Sequence, residues 1–143
     1  MKKLLILLLF PLIGFSQQSV STLVGYKSFE LNFKTKGDIN YGIAVSIIDS
    51  KEVAKRATKM NYPNIHRNNN NLTPSLFFLI GATFDNITIT GKLGASYFKQ
   101  NINNKPESQN IYKSAGVQFQ YKNLVFSFDS ANFAMIGYEF NIN

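Results

Sequence analysis

Hydrophobic and polar positions alternate along four long stretches of the chain. In Asn86–Phe98 one set is Ile87, Ile89, Gly91, Leu93, Ala95 and Tyr97, and the other is Thr88, Thr90, Lys92, Gly94 and Ser96. Ile39–Ile48, Tyr112–Tyr121 and Phe133–Ile142 repeat the pattern. A period of two sustained over ten or so residues predicts β-strands with two unlike faces. The polar face carries Gly, Ser, Thr, Asn and Gln rather than long charged side chains. Such residues suit the narrow interior of a closed barrel, so that Ile89, Leu93, Val117 and Ile136 point outward, where lipid is the compatible solvent.

Seven strand candidates follow, at about residues 22–35, 38–49, 74–84, 86–98, 110–122, 123–129 and 132–142. A closed single-chain barrel of this type has an even strand count. Eight is therefore expected: either Val20–Tyr26 forms a separate strand before Ser28–Thr35, or one of these boundaries is misplaced. Eleven residues at about 3.4 Å each and about 45° tilt rise roughly 26 Å, the height of a bilayer's apolar band. Lys36-Gly37-Asp38, Asp85-Asn86 and Lys122-Asn123 read as tight turns, built from residues that tolerate positive φ. Ser50–Thr73 and Lys99–Gln109 read as long polar loops. Short turns on one rim and long loops on the other predict an up-and-down barrel, with the long loops outside the cell. Within the first long loop, Asp49 or Ser50 caps a short helix over Lys51–Met60. It is expected to lie on the rim, and the run Asn68–Asn71 follows it.

Composition narrows the class. Lys2 and Lys3, the apolar run Leu4–Ile13 and the Gly14-Phe15-Ser16 junction form a secretory signal peptide, cleaved after Ser16. Residues 17–143 then form one barrel domain. No cysteine occurs, so neither a lipid-anchored cysteine nor a disulfide is available. Losing Lys2 and Lys3 lowers the net charge from +7 to +5. Much of the surplus lies in one loop, as Lys51, Lys55, Arg56, Lys59 and Arg67. An exported chain does not meet nucleic acid, so the expected partner of this cluster is a membrane lipid, lipopolysaccharide phosphate included. A solvated loop explains the same residues. Tyr26, Tyr41, Phe84, Tyr97, Tyr121, Tyr138 and Phe140 lie mostly near strand ends, where membrane barrels carry aromatic girdles.

The alternating strands, the export signal and the ending Met135-Ile136-Gly137-Tyr138-Glu139-Phe140-Asn141-Ile142-Asn143 resemble the small outer-membrane β-barrel proteins of Gram-negative bacteria, of OmpA/OmpX-like or porin-like type. The resemblance covers nearly the whole mature chain as a pattern, without a subfamily motif. It implies an outer-membrane location and a structural, adhesive or surface-binding role for what is expected to be a monomer. Members of the class commonly end on an aromatic residue, whereas this chain has Phe140 three residues before Asn143.

Little points to chemistry. His66 is the single histidine, with Glu52 the only acid in its loop, so no metal site of usual composition and no cofactor is expected. Some small outer-membrane barrels are lipid-modifying hydrolases that use Ser and His. His66 lies beside the Asn run, however, without a rigid partner to orient its imidazole. The expectation is that the protein is not an enzyme. Glu30, Lys34, Lys92 and Glu139 fall on lumen-facing positions, where they either line a pore or a polar site, or pair across a filled interior. Alternation defines faces and not their direction, so a soluble lipocalin-like barrel holding an apolar ligand inside is the competing architecture.

Overall fold

The computed structural model describes residues 17–59, 72–100 and 108–142. Eight strands occur in chain order: β1 (Gln18–Gly25), β2 (Ser28–Thr35), β3 (Ile39–Asp49), β4 (Leu72–Phe84), β5 (Ile87–Gln100), β6 (Ser108–Tyr121), β7 (Leu124–Asp129) and β8 (Phe133–Ile142). One helix, α1 (Ser50–Lys59), follows β3. Every strand pairs antiparallel with its sequence neighbour, and β1 pairs with β8 from Gln18↔Ile142 to Gly25↔Met135. That last pairing closes the barrel and leaves no free sheet edge between first and last strand, the condition for placing strands in lipid.

The segment read as one strand over 22–35 is two. Its break falls at Tyr26-Lys27, with Val24 facing Phe29 across the hairpin. Tyr26-Lys27 lacks the Gly or Asn that marks most tight turns, yet Lys27 itself takes left-handed φ (55°). Asp85 and Lys122, both in turns read from sequence, do the same at φ 53°. The eighth strand thus comes from the split foreseen for Val20–Tyr26.

The rims differ less in loop length than expected. One rim carries the three turns at residues 36–38, 85–86 and 122–123, together with the start of β1 and the end of β8. The other carries the connections 50–71 and 101–107, but also two tight turns at 26–27 and 130–132. The helix is where it was expected, with Asp49 Oδ1 accepting from the Lys51 amide at 2.8 Å as its cap. Val53, however, is 1% exposed. The helix does more than lie on the rim, since this side chain packs with Ile48, Phe77, Tyr112 and Ala131 into an apolar plug.

Burial is inverted relative to a water-soluble domain. Among the described residues, 22 buried side chains are polar or charged and ten are apolar. Ile89, Leu93 and Ile136 are 42%, 66% and 54% exposed. A lipocalin-like barrel would hold those side chains inside. The polar set Thr88, Thr90, Lys92 and Ser96 is buried instead.

Candidate functional site

The interior is the part of this molecule with organised chemistry, and it is built in two layers. Toward the long-loop rim, alternation on β2 and β5 turns Glu30 and Lys92 inward. Lys92 Nζ lies 2.8 Å from both Glu30 carboxylate oxygens, 2.7 Å from Asp129 Oδ2 and 3.0 Å from Ser127 Oγ. It also stands 4.5 Å above the Phe77 ring. Side chains of Glu30 and Lys92 are wholly buried. Gln118 Nε2 donates to Glu30 Oε1 at 3.2 Å. Asn132 Nδ2 lies 3.2–3.4 Å from Ser46 Oγ, Asp129 Oδ2 and Glu30 Oε2. Asp129 serves twice: its other oxygen accepts from the amides of Ala131 (3.0 Å) and Asn132 (2.6 Å), which holds the β7–β8 turn. Gly116 makes room for it, because a Cβ there would stand 2.4 Å from Asp129 Cβ.

Toward the short-turn rim the stoichiometry reverses. Glu139 Oε2 pairs with Lys34 Nζ at 2.9 Å, and Oε1 lies 3.7 Å from Lys36 Nζ. Ser21 Oγ (3.3 Å) and Gln120 Nε2 (2.8 Å) also donate to Glu139. Lys34 reaches Gln120 Oε1 at 2.9 Å, and Lys36 reaches Asn141. This layer opens into a cup of about 460 Å³ at the short-turn rim, whereas the apolar plug lies at the opposite end.

The structure thus brings Glu30 with Lys92, and Lys34 with Glu139, as two separate networks. Asp129 and Asn132 belong to the first, although neither is among the lumen residues read from the sequence. A faint signal existed: Val125, Ser127 and Asp129 alternate with Leu124, Phe126 and Phe128.

The basic loop is different in kind. Lys51 is half-buried and Lys55 is exposed. Glu52 accepts from Lys55 at 3.3 Å and from Lys27, in the β1–β2 turn, at 3.4 Å. Burial acts to raise the Glu52 carboxyl, but the two ammonium groups outweigh it and hold it below the ordinary carboxylate value. Lys27 is held above the ordinary lysine value by its electrostatic interaction with Tyr26 and then by its bond to Glu52. The side chains of Arg56 and Lys59, all of Arg67 and His66, and the leader through Ser16 lie outside the described residues. Among the described residues no group of His, Cys, Asp and Glu is placed to hold a metal.

An eight-stranded up-and-down barrel with an ion-paired lumen and an apolar exterior has the architecture of the small outer-membrane barrels. Its backbone is similar to that of the outer membrane protein Ail of Yersinia pestis, solved in a phospholipid bilayer nanodisc. The TM-score is 0.56 over 90% of this chain and 100% of that one, at 12% sequence identity. At that identity the likeness is one of fold. No protein-family model and no curated protein matches the sequence.

Proposed function

We propose that the chain is an exported outer-membrane barrel with a structural or surface-binding role and no catalytic one. The observation that carries this reading is the inverted burial: a polar interior surrounded by large apolar side chains on nearly every outward position. Val24, Phe78, Ile80, Leu93, Ile111, Ile136 and Phe140 are each more than half exposed. Exposed apolar surface on this scale is unfavourable in water and favourable in lipid. No helix among the described residues is long and apolar enough to cross a membrane, so the crossing elements are the strands.

Replacing Leu93 by Arg on the lipid-facing side should cost about 2–4 kcal/mol of folding stability in bilayers. The check is urea unfolding of the folded protein in lipid vesicles. A penalty below that of a lumen change such as Thr90→Val, or a mature protein that stays soluble without detergent, defeats the reading.

Surface binding is assigned to the basic segment, with anionic lipid and its lipopolysaccharide phosphates as partner. What supports it is the exposure of Lys55 beside Lys27 on the long-loop rim. Attraction to an anionic surface is worth on the order of 1 kcal/mol per basic residue and fades with salt. Changing Lys51, Lys55 and Lys59 to Gln should therefore weaken low-salt binding to anionic vesicles while the barrel remains folded. Unchanged co-sedimentation would reduce the loop to a solvated rim.

A further inference from the structure

The cup at the short-turn rim has features that filling the barrel does not require. Lys34, Lys36 and Glu139 line it together with Ser19, Asn40 and Gln120. Two ammonium groups share one carboxylate there. That carboxylate already has Ser21, Gln120 and Lys34 within hydrogen-bond distance and the Lys36 ammonium at 3.7 Å, surroundings that disfavour a cation. Ser19, 2% exposed, lines the same cup, and its hydroxyl has no hydrogen-bond partner. A buried hydroxyl without a partner is costly, and a ligand acceptor would satisfy it.

The remaining charges around the cup are Asp38, Asp85 and Lys122. All three are exposed on the turns, where water screens them. The lining as a whole balances three ammonium groups against three carboxylates, and the cation buried beside Ser19 is Lys34, its register partner on β2, where low dielectric strengthens attraction. Lys34 and Glu139 have side chains only 3% exposed, whereas that of Lys36, bonded to Asn141, is 31% exposed and reachable by an entering group.

We infer that this cup is a binding site for the oxyanion of a small solute, a phosphate or carboxylate group held by Lys34, Lys36 and the Ser19 hydroxyl. Its volume lies within the range of ordinary small-ligand sites. The opposite end cannot take such a ligand, because Val53, Ile48 and Tyr112 close it and the charge surplus there is negative. The site lies at the short-turn mouth of the lumen and does not depend on the membrane reading.

The test uses the full mature chain folded in detergent micelles. Backbone amide shifts are followed while inorganic phosphate, and separately succinate, is added at constant ionic strength. Saturable shifts are expected at Ser19, Lys36 and Gln120, with Val53 and Tyr112 unmoved. Lys36→Gln should weaken the affinity about tenfold, the equivalent of one charged hydrogen bond. Glu139→Gln should strengthen it, since both lysines are released to the ligand. Lys113→Gln removes the same charge from an exposed position on β6 and should change nothing. A response to phosphate alone or to succinate alone names the group the cup prefers. Unsaturable shifts with both probes overturn the inference, as does equal weakening by Lys36→Gln and Lys113→Gln. Should Glu139→Gln fail to fold, the two lysine variants still decide.

Discussion

At the long-loop end one lysine, Lys92, serves two carboxylates, Glu30 and Asp129; at the short-turn end one carboxylate, Glu139, serves two lysines, Lys34 and Lys36. The two layers bury charge under different conditions. The first is sealed beneath the plug of Val53, Phe77 and Tyr112, so its surplus negative charge has to be met by protein donors. Gln118, Asn132 and the Ala131 amide supply them. The second opens into the cup, where water and any solute share the work. A buried charge is tolerated when its hydrogen bonds are made, and becomes costly when one partner is removed. Removing a lysine's charge should therefore cost far more at the sealed end than at the open one.

Lys92→Met is the strongest way to break the comparison. It leaves Glu30 and Asp129 buried without their cation, and should cost about 3–5 kcal/mol of folding stability. Lys36→Gln, on a side chain 31% exposed, should stay within about 1 kcal/mol. Urea titration of both variants in the same vesicles measures the difference. Similar penalties would mean that the plug does not keep water from the inner network.

The sharp alternation of β3, β5, β6 and β8 makes their faces legible in the residues alone. The inward positions of Lys92 and Glu139 follow from it, and those of Glu30 and Lys34 from the shorter alternation of β2. What alternation does not contain is register, so the separate pairings of Glu30 with Lys92 and of Lys34 with Glu139 emerge only in the folded barrel. Asp129 and Asn132 escape notice because β7 is six residues long and Asn132 lies in a turn, where no period of two operates. The apolar plug is hidden for the opposite reason. Leu76 to Ile80 is apolar throughout, so its pattern does not show that Phe77 and Leu79 point inward. The Tyr26-Lys27 turn is hard to see because it relies on a lysine adopting left-handed φ rather than on a residue that prefers it.

A smaller effect separates inside from outside on one strand. Gly94 and Gly91 both lie on β5. A Cβ on Gly94 would sit 2.1 Å from the Leu76 carbonyl oxygen and 2.7 Å from Phe77 Cδ1. At Gly91 the only neighbour is the Ile80 carbonyl oxygen at 3.6 Å, an ordinary contact. Gly94→Ala should therefore cost about 1–3 kcal/mol by overpacking the lumen. Gly91→Ala should be neutral or stabilising by up to about 1 kcal/mol, because it restricts the unfolded chain. Equal effects, read from thermal unfolding of the two variants, would show that the lumen can expand at Phe77.

The weakest effect concerns how α1 is held over the sealed end. Glu52 bonds Lys27 and Lys55, and its carboxyl is held below the ordinary value because the two ammonium groups outweigh its burial. The contribution of Glu52 is thus complete above the ordinary carboxylate range, about pH 4.3, and is lost as pH falls through the lowered value. Lys27, held above its ordinary value by Tyr26 and then by Glu52, behaves in the mirror sense. Its contribution is complete below the ordinary lysine range, about pH 10.4, and is lost as pH rises through the raised value. Docking of α1 should be flat with pH between those limits and loosen beyond either. Since Val53 remains buried in the plug, the loosening should be small and confined to the helix. Amide chemical shifts of α1 in micelles report it, with the β5 and β6 amides as an internal reference. Glu52→Gln should abolish the acid limb; its persistence in that variant would show that the limb does not belong to Glu52.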